Sequence, residues 1–176
     1  MLFEGMYSDV FNQLTRKDTV NVYLRNTFSP YTLADSVKGT IDSITHSGLF
    51  NFVYALTGSY YLVVKPFNCL ETWSKIGGEF LANDYSIYNY DFTSAISQAY
   101  GNNLKLKGNK YCLYSGDINL DGYITLLDVL PIYNDAVSFV TGRFIKTDLT
   151  GDNIVDLTDV TLCYNNSSGF VRVIRP

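Results

Sequence analysis

The sequence predicts a mainly β chain: an N-terminal β-sandwich over residues 1–110, then a small α-helical module over 111–176. Three observations carry this. Short segments of the first part alternate apolar and polar residues between turn signals, as half-buried strands do. Aromatic residues reach 15%, mostly Tyr and Phe, while charged residues are only 17%, which argues against disorder and against a coiled coil. The last third instead carries helix-spaced apolar residues behind acidic loops.

In chain order, Leu2–Met6 is the first strand candidate. Val20, Val22 and Leu24 then alternate with Asn21, Tyr23 and Arg25. Ser36–Ile41 follows, Phe50 and Phe52 flank Asn51, and Tyr60, Leu62 and Val64 alternate with Tyr61, Val63 and Lys65. Ile87–Phe92 and Leu104–Lys107 complete the set. Ser29-Pro30, Thr57-Gly58-Ser59, Gly77-Gly78 and Gly108-Asn109 supply turns between them, at the spacing of a sandwich.

Residues 1–110 carry no net charge, so the whole formal charge of −4 lies in 111–176. There, seven Asp fall in two clusters, Asp117–Asp128 and Asp148–Asp159. The clusters are one pattern written twice, 31 positions apart and without a gap. Asp117, Asp121 and Asp128 recur as Asp148, Asp152 and Asp159; Tyr133, Asn134, Phe139 and Val140 recur as Tyr164, Asn165, Phe170 and Val171. This is an internal duplication. Each copy reads as loop, helix, turn and extended tail. The helices are expected to bury Leu126, Val129, Leu130 and Tyr133 in the first copy, and Leu157, Val160, Cys163 and Tyr164 in the second. Pro131 is expected to shorten or bend the first helix, and the Tyr-Asn-Asp and Tyr-Asn-Asn strings to stop both.

A twelve-residue calcium loop supplies oxygens from positions 1, 3, 5, the carbonyl of 7, 9 and 12. In copy one these are Asp117, Asn119, Asp121, the Tyr123 carbonyl, Thr125 and Asp128; in copy two, Asp148, Thr150, Asp152, the Ile154 carbonyl, Asp156 and Asp159. Gly122 and Asn153 stand at position 6, where the chain turns sharply and φ is positive. Ile124 and Val155 stand at position 8, as apolar anchors. All these donors are hard oxygens, which favour Ca²⁺ over zinc or copper. Two Ca²⁺ would bring the formal charge from −4 to zero.

The string Gly116-Asp117-Ile118-Asn119-Leu120-Asp121-Gly122-Tyr123-Ile124-Thr125-Leu126-Leu127-Asp128-Val129 resembles the repeat of dockerin modules, which are paired calcium loop–helix units with Asp at position 12. The resemblance covers about residues 115–175. At positions 10 and 11, where cohesin-binding dockerins often carry a Ser-Thr-like pair, this chain has Leu126-Leu127 and Leu157-Thr158. The strand pattern around Thr19–Asn26 and Tyr61–Lys65 is similar to transthyretin-like and carboxypeptidase-regulatory-like sandwiches. A sandwich running into such a pair also resembles C-terminal regions of secreted bacterial surface proteins. The resemblance implies an extracellular or cell-surface setting, where millimolar calcium keeps weak sites full.

Composition excludes other classes. There is no basic tract for nucleic acid, and no apolar run long enough to span a membrane. A single His, His46, leaves no nucleophile–His–acid set, so an enzyme is not expected. Met1-Leu2-Phe3-Glu4 lacks the features of a signal peptide, so a mature chain, a fragment or an engineered piece is expected. Cys69, Cys112 and Cys163 form no C-x-x-C, and the last two lie among apolar residues, as buried thiols do. Trp73 is expected in the core rather than on a sugar-binding face. Three functions follow: a calcium-stabilised structural or assembly module, for instance a subunit of a surface filament, that meets copies of itself or neighbouring surface-protein domains; a dockerin-type plug for a cohesin-like receptor; and a glycan-binding sandwich. For self-assembly, Leu2–Met6 or the tail 171–176 is the expected contact with a neighbouring subunit or domain; the equal alternative is that Val171 and Ile174 close the chain's own core.

Overall fold

A computed structural model describes residues 1–84 and 86–176. In chain order its strands are β1 (Tyr7–Ser8), β2 (Gln13–Leu14), β3 (Asp18–Asn26), β4 (Leu33–Ile41), β5 (Gly58–Pro66), β6 (Thr72–Trp73), β7 (Glu79–Leu81), β8 (Lys105–Lys107) and β9 (Lys110–Cys112). The helices α1 (Leu126–Val137) and α2 (Leu157–Ser168) follow. The chain is therefore mainly β and sandwich-like, with a small helical part.

One antiparallel sheet dominates, in the order β4-β3-β5-β6, with β7 also pairing with β5. Strand alternation puts Val20, Val22 and Val64 on one face of it, in the main core with Leu2, Phe3, Met6, Phe92, Leu104 and Leu113. Tyr23, Tyr61, Val63 and Trp73 point the other way into an aromatic cluster with Tyr31 and Tyr100. Trp73 is buried there, as expected, and its indole N–H donates to Glu71 at 2.8 Å.

The layer opposite the sheet departs from the expected regular strands. It consists of two short ribbons, β1–β2 and β8–β9, and irregular chain. Leu2–Met6 makes only a bridge between Phe3 and Leu113. Its apolar side chains are buried all round, so no polar face remains for an alternating strand. Phe50–Phe52 and Ile87–Phe92 pair with nothing among the described residues. The Phe50 ring lies where a Cβ on Gly39 or Gly48 would sit, and Phe92 is held by the main core and by the Tyr90 ring, 4.8 Å away.

The C-terminal repeat forms a pseudo-twofold pair. The tail behind α1 bonds to the second loop: Val155 N donates to Val140 O at 3.0 Å and Gly142 N to Asn153 O at 2.9 Å. The tail behind α2 bonds to the first loop in the same way: Ile124 N donates to Val171 O at 2.9 Å and Val173 N to Gly122 O at 2.8 Å. The tail 171–176 is thus consumed within its own chain, and Leu2–Met6 is buried. Neither is a free edge for a neighbouring copy, which corrects the self-pairing expectation; the tail follows the alternative, with Val171 packed on the chain's own core.

Both helices are twelve residues long, so Pro131 does not shorten α1. The carbonyl that its missing N–H leaves free belongs to Leu127, whose residue is exposed to water. The Tyr-Asn strings lie inside the helices rather than ending them. The chain turns left-handed only at Phe139 and Phe170, both at φ 53°. Behind them Val140 N donates to Asp135 O at 3.0 Å, and Val171 N to Asn166 O at 3.2 Å, which closes each helix end in a Schellman-type turn. The inward helix face matches the expected one at Val129, Val160 and Cys163 and differs elsewhere. Ile132 and Cys163 are buried, with Val129, Ala136, Val160 and Leu162 beside them. Leu126, Leu130, Tyr133, Leu157 and Tyr164 face outward.

The two parts are packed together. Gly5 lies so close to the Leu149 carbonyl that a Cβ there would collide with it. Buried Glu4 accepts from Asn166 Nδ2 at 2.6 Å and from Ser115 N at 3.3 Å. Asn68 Nδ2 donates to the carbonyls of Lys146 and Asp148. No helix is long and apolar enough to cross a membrane among the described residues.

Candidate functional site

The two acidic loops are built by the same local rules. Gly122 at φ 87° and Asn153 at φ 73° make the left-handed turn at position 6, as expected of those residue types. Ile124 and Val155 at position 8 are buried in the helical core and tether each loop to it.

Position 12 is buried in both copies and gathers backbone donors. Asp128 Oδ1 accepts from Ile118 N at 2.9 Å and Asn119 N at 3.2 Å, and its Oδ2 accepts from Thr125 N at 2.9 Å. Asp159 repeats this with Leu149 N at 2.8 Å, Thr150 N at 2.9 Å and Asp156 N at 3.0 Å. Positions 9 and 12 are also the two halves of a capping box on the helix that follows: Thr125 with Asp128, and Asp156 with Asp159. Sequence reading assigned these residues to a metal alone. The capping role was legible in the same Thr-x-x-Asp and Asp-x-x-Asp spacing before an apolar run.

Asn119 and Asp121 are exposed at the loop tip and bond to each other, Asn119 Nδ2 donating to Asp121 Oδ2 at 2.8 Å. Asp121 Oδ1 accepts from Tyr123 N at 2.8 Å, and Asp152 Oδ1 from Ile154 N at 2.9 Å. Among the described residues, no three His, Cys, Asp or Glu side chains are drawn together closely enough to hold a metal by themselves. The carboxylates are turned instead onto N–H groups of their own loops.

Position 1 separates the copies. Asp117 is buried; its Oδ2 accepts from Gly122 N at 3.1 Å, while its Oδ1 has no partner. Burial, and then the negative charge of Asp128, push its carboxyl up to about 6. A buried carboxylate oxygen without a donor is costly, and a cation is the group that relieves it. With its oxygen-only donor set, loop one fits a hard divalent ion. Asp148 in loop two is also buried, but all its acceptor positions are used. Oδ1 takes Gly151 N at 2.7 Å and Thr150 Oγ1 at 3.3 Å; Oδ2 takes Asn153 N at 3.1 Å and Arg16 Nη1 at 3.0 Å. Arg16 and Glu4 are residues of this region that the sequence did not point to, since they lie more than a hundred positions from their partners.

Each helix starts with exposed apolar residues beside its loop. Leu126, Leu127 and Leu130 of α1 and Leu157 of α2 are all more than half exposed. The cysteines Cys69, Cys112 and Cys163 are free and buried, and burial pushes the thiols of Cys112 and Cys163 up to about 12. His46 packs edge-on against Tyr7, and burial with the nearby amino terminus lowers its pKa.

No family model matches the chain, and no curated protein matches it. Among solved structures, it is similar to a chain of a C-terminal interface mutant of a type II cohesin–X-dockerin complex from Acetivibrio cellulolyticus, with a TM-score of 0.53, 15% identity, and coverage of 96% of this chain and 95% of that one. A chain from an N-terminal interface mutant of the same complex aligns over 86% of this chain and 84% of that one, with a TM-score of 0.45 and 18% identity. At these identities the first likeness is one of fold, a mainly β and sandwich-like chain with a small helical part, and the second is too distant to add to it.

Proposed function

We propose that this chain is a non-catalytic docking module of an extracellular or cell-surface protein, which meets a protein partner through the outer face of α1 and α2. One observation carries the reading. Leu126, Leu127 and Leu130 stand exposed together on α1, and Leu157 on α2, while the inner sides of both helices are buried; exposed apolar clusters of this kind mark interaction sites. The fold likeness supports it, because that neighbour was solved within a protein–protein complex. In this reading the loops are calcium sites that set the helices' starting points. Asp117, Asn119, Asp121, the Tyr123 carbonyl, Thr125 and Asp128 would hold one ion; Asp148, Thr150, Asp152, the Ile154 carbonyl, Asp156 and Asp159 would hold a second. Calcium supplies charge neutralisation only and takes part in no reaction.

The test is titration calorimetry of the full chain with a type II cohesin as probe, in millimolar calcium and in excess chelator. Binding in calcium that is lost in chelator, and lost in Leu127→Asp, is the expected result. Absence of binding across a panel of cohesins would remove that class of partner. The second reading, assembly of copies into a filament, uses the same apolar face and is favoured by the near-zero charge of a calcium-loaded chain. Sedimentation velocity in calcium, with Leu127→Asp as control, separates the two. A glycan-binding sandwich has less support, since Trp73, the single Trp, lies buried beneath Tyr31 and Tyr61.

A further inference from the structure

The loops are duplicates in sequence, in backbone turns and in their position-12 bonding, yet they differ in what meets the position-1 carboxylate. Asp117 meets no cation. Asp148 meets Arg16, which arrives from the segment between β2 and β3, 132 residues away in the chain. The Arg16 side chain is only 14% exposed. Its guanidinium stands 5.0 Å from the centre of the Phe144 ring, and its Nε and Nη2 are buried without partners. Such a position is costly for a guanidinium unless its charge is compensated; Asp148 is the carboxylate that bonds it, with buried Asp18 also near. Gly151 is left-handed at φ 74°; a Cβ there would press on Met6 and touch the Arg16 stem. Lys17 and Arg143 line the same cleft, with Phe144, Asp152 and Asn153. Loop two thus meets Arg16 and Lys17 of the N-terminal part and Arg143 of the module, whereas the guanidinium near loop one, that of Arg175 beside Gly122, is paired with Glu71 at 2.9 Å.

We propose that Arg16 is a resident counter-cation of the second loop, which holds that loop folded without calcium and lowers its calcium affinity relative to the first. This rests on the reading of both loops as calcium sites. An ion in loop two must share Asp148 with a guanidinium, whereas an ion in loop one meets a free Asp117 oxygen. The loops therefore load in order, the first before the second. Filling the second loop also perturbs an ion pair that ties the helical module to the sheet unit, so its occupancy is felt at the junction.

The experiment is a calcium titration of the full chain against a chromophoric chelator. Asp128→Asn and Asp159→Asn assign the sites to loops one and two. In the unsubstituted chain, two sites that differ by about tenfold or more are expected, the weaker one in loop two. Arg16→Met should tighten the weaker site by about tenfold, while Arg16→Lys should leave it weak because the charge is kept. In chelator, Arg16→Met should expose the second loop to proteolysis ahead of the first. Equal sites in the unsubstituted chain, a weaker site in loop one, or an unchanged weaker site in Arg16→Met would overturn the inference and leave the calcium reading intact. Absence of any calcium binding at millimolar concentration would overturn both. If Arg16→Met does not fold, the ordering of sites in the unsubstituted chain and in Arg16→Lys still decides.

Discussion

The sheet unit and the helical module are stabilised by different means. The sheet unit closes over a broad apolar core that draws on Leu2, Phe3, Tyr7, Val22, Ile41, Phe92 and Leu113. The module has a smaller core, around Ile118, Ile124, Ile132, Leu149 and Val155, and it crowds four buried carboxylates, Asp117, Asp128, Asp148 and Asp159, into two short loops, whereas the four of the sheet unit, Glu4, Asp18, Asp35 and Glu71, are spread over a larger core. Burying a carboxylate is unfavourable unless donors or cations answer it. Backbone N–H groups answer Asp128 and Asp159, an arginine answers part of Asp148, and half of Asp117 is unanswered. The sheet unit leans mainly on exclusion of water, and the module more on satisfaction of charge. Conditions that alter charge should therefore act more strongly on the module than on the sheet.

The largest expected effect is that of calcium. At hundredfold saturation, each occupied loop adds about 2.7 kcal/mol to stability. Calorimetric scans in calcium and in chelator should differ by several degrees in Tm, with protection of amide protons lost first in residues 117–170. A Tm identical in the two conditions would break the comparison. Next comes the module's apolar core. Ile132→Ala removes a fully buried side chain from α1 and should cost about 2–5 kcal/mol. In chelator that loss should unfold the module while near-ultraviolet signals from the Trp73 cluster persist.

The junction sharpens the contrast further. Gly5→Ala forces a methyl against the Leu149 carbonyl and should cost about 1–3 kcal/mol. It should also turn one unfolding transition into two, because it loosens the contact between the parts rather than either core.

The smallest effect is one of pH. Burial raises the Glu4 carboxyl above its ordinary value of 4.5, against the pull of its Asn166 and Ser115 bonds and of Lys105 and Lys107. The folded state thus holds this proton more tightly than the unfolded chain does. The associated stability is complete below about 4.5 and is lost as pH rises through the raised value. Glu4→Gln, which cannot ionise, should lack that part of the decline. Parallel Tm–pH curves for the two proteins would remove Glu4 as the cause.

Much of the molecule was legible as local pattern. The alternation in Val20–Leu24 and Tyr60–Val64 foretold the strands at the centre of the sheet, and the repeat foretold two loops, two helices and their turns at Gly122 and Asn153. The helical face was read correctly at Val129, Val160 and Cys163 but misread at Leu126, Leu130 and Tyr133, which have helical spacing, as do Ile132 and Ala136. An apolar residue does not state which side of its helix will find a neighbour. Leu104–Lys107 foretold β8, but β1, β2 and β9 were missed because two or three residues are too few to show a period.

Residue type and spacing determined by themselves the duplication, the positive-φ turns, the buried position-8 anchors and the capping boxes, since each depends on neighbours within a dozen residues. Only the tertiary structure decided that each tail crosses to the other copy's loop, that Glu4 meets Asn166 and that Arg16 meets Asp148. Those pairs are separated by 162 and 132 residues. Charge and hydrogen-bonding capacity are written locally, but the partner that satisfies them is chosen by which surfaces the apolar core brings together.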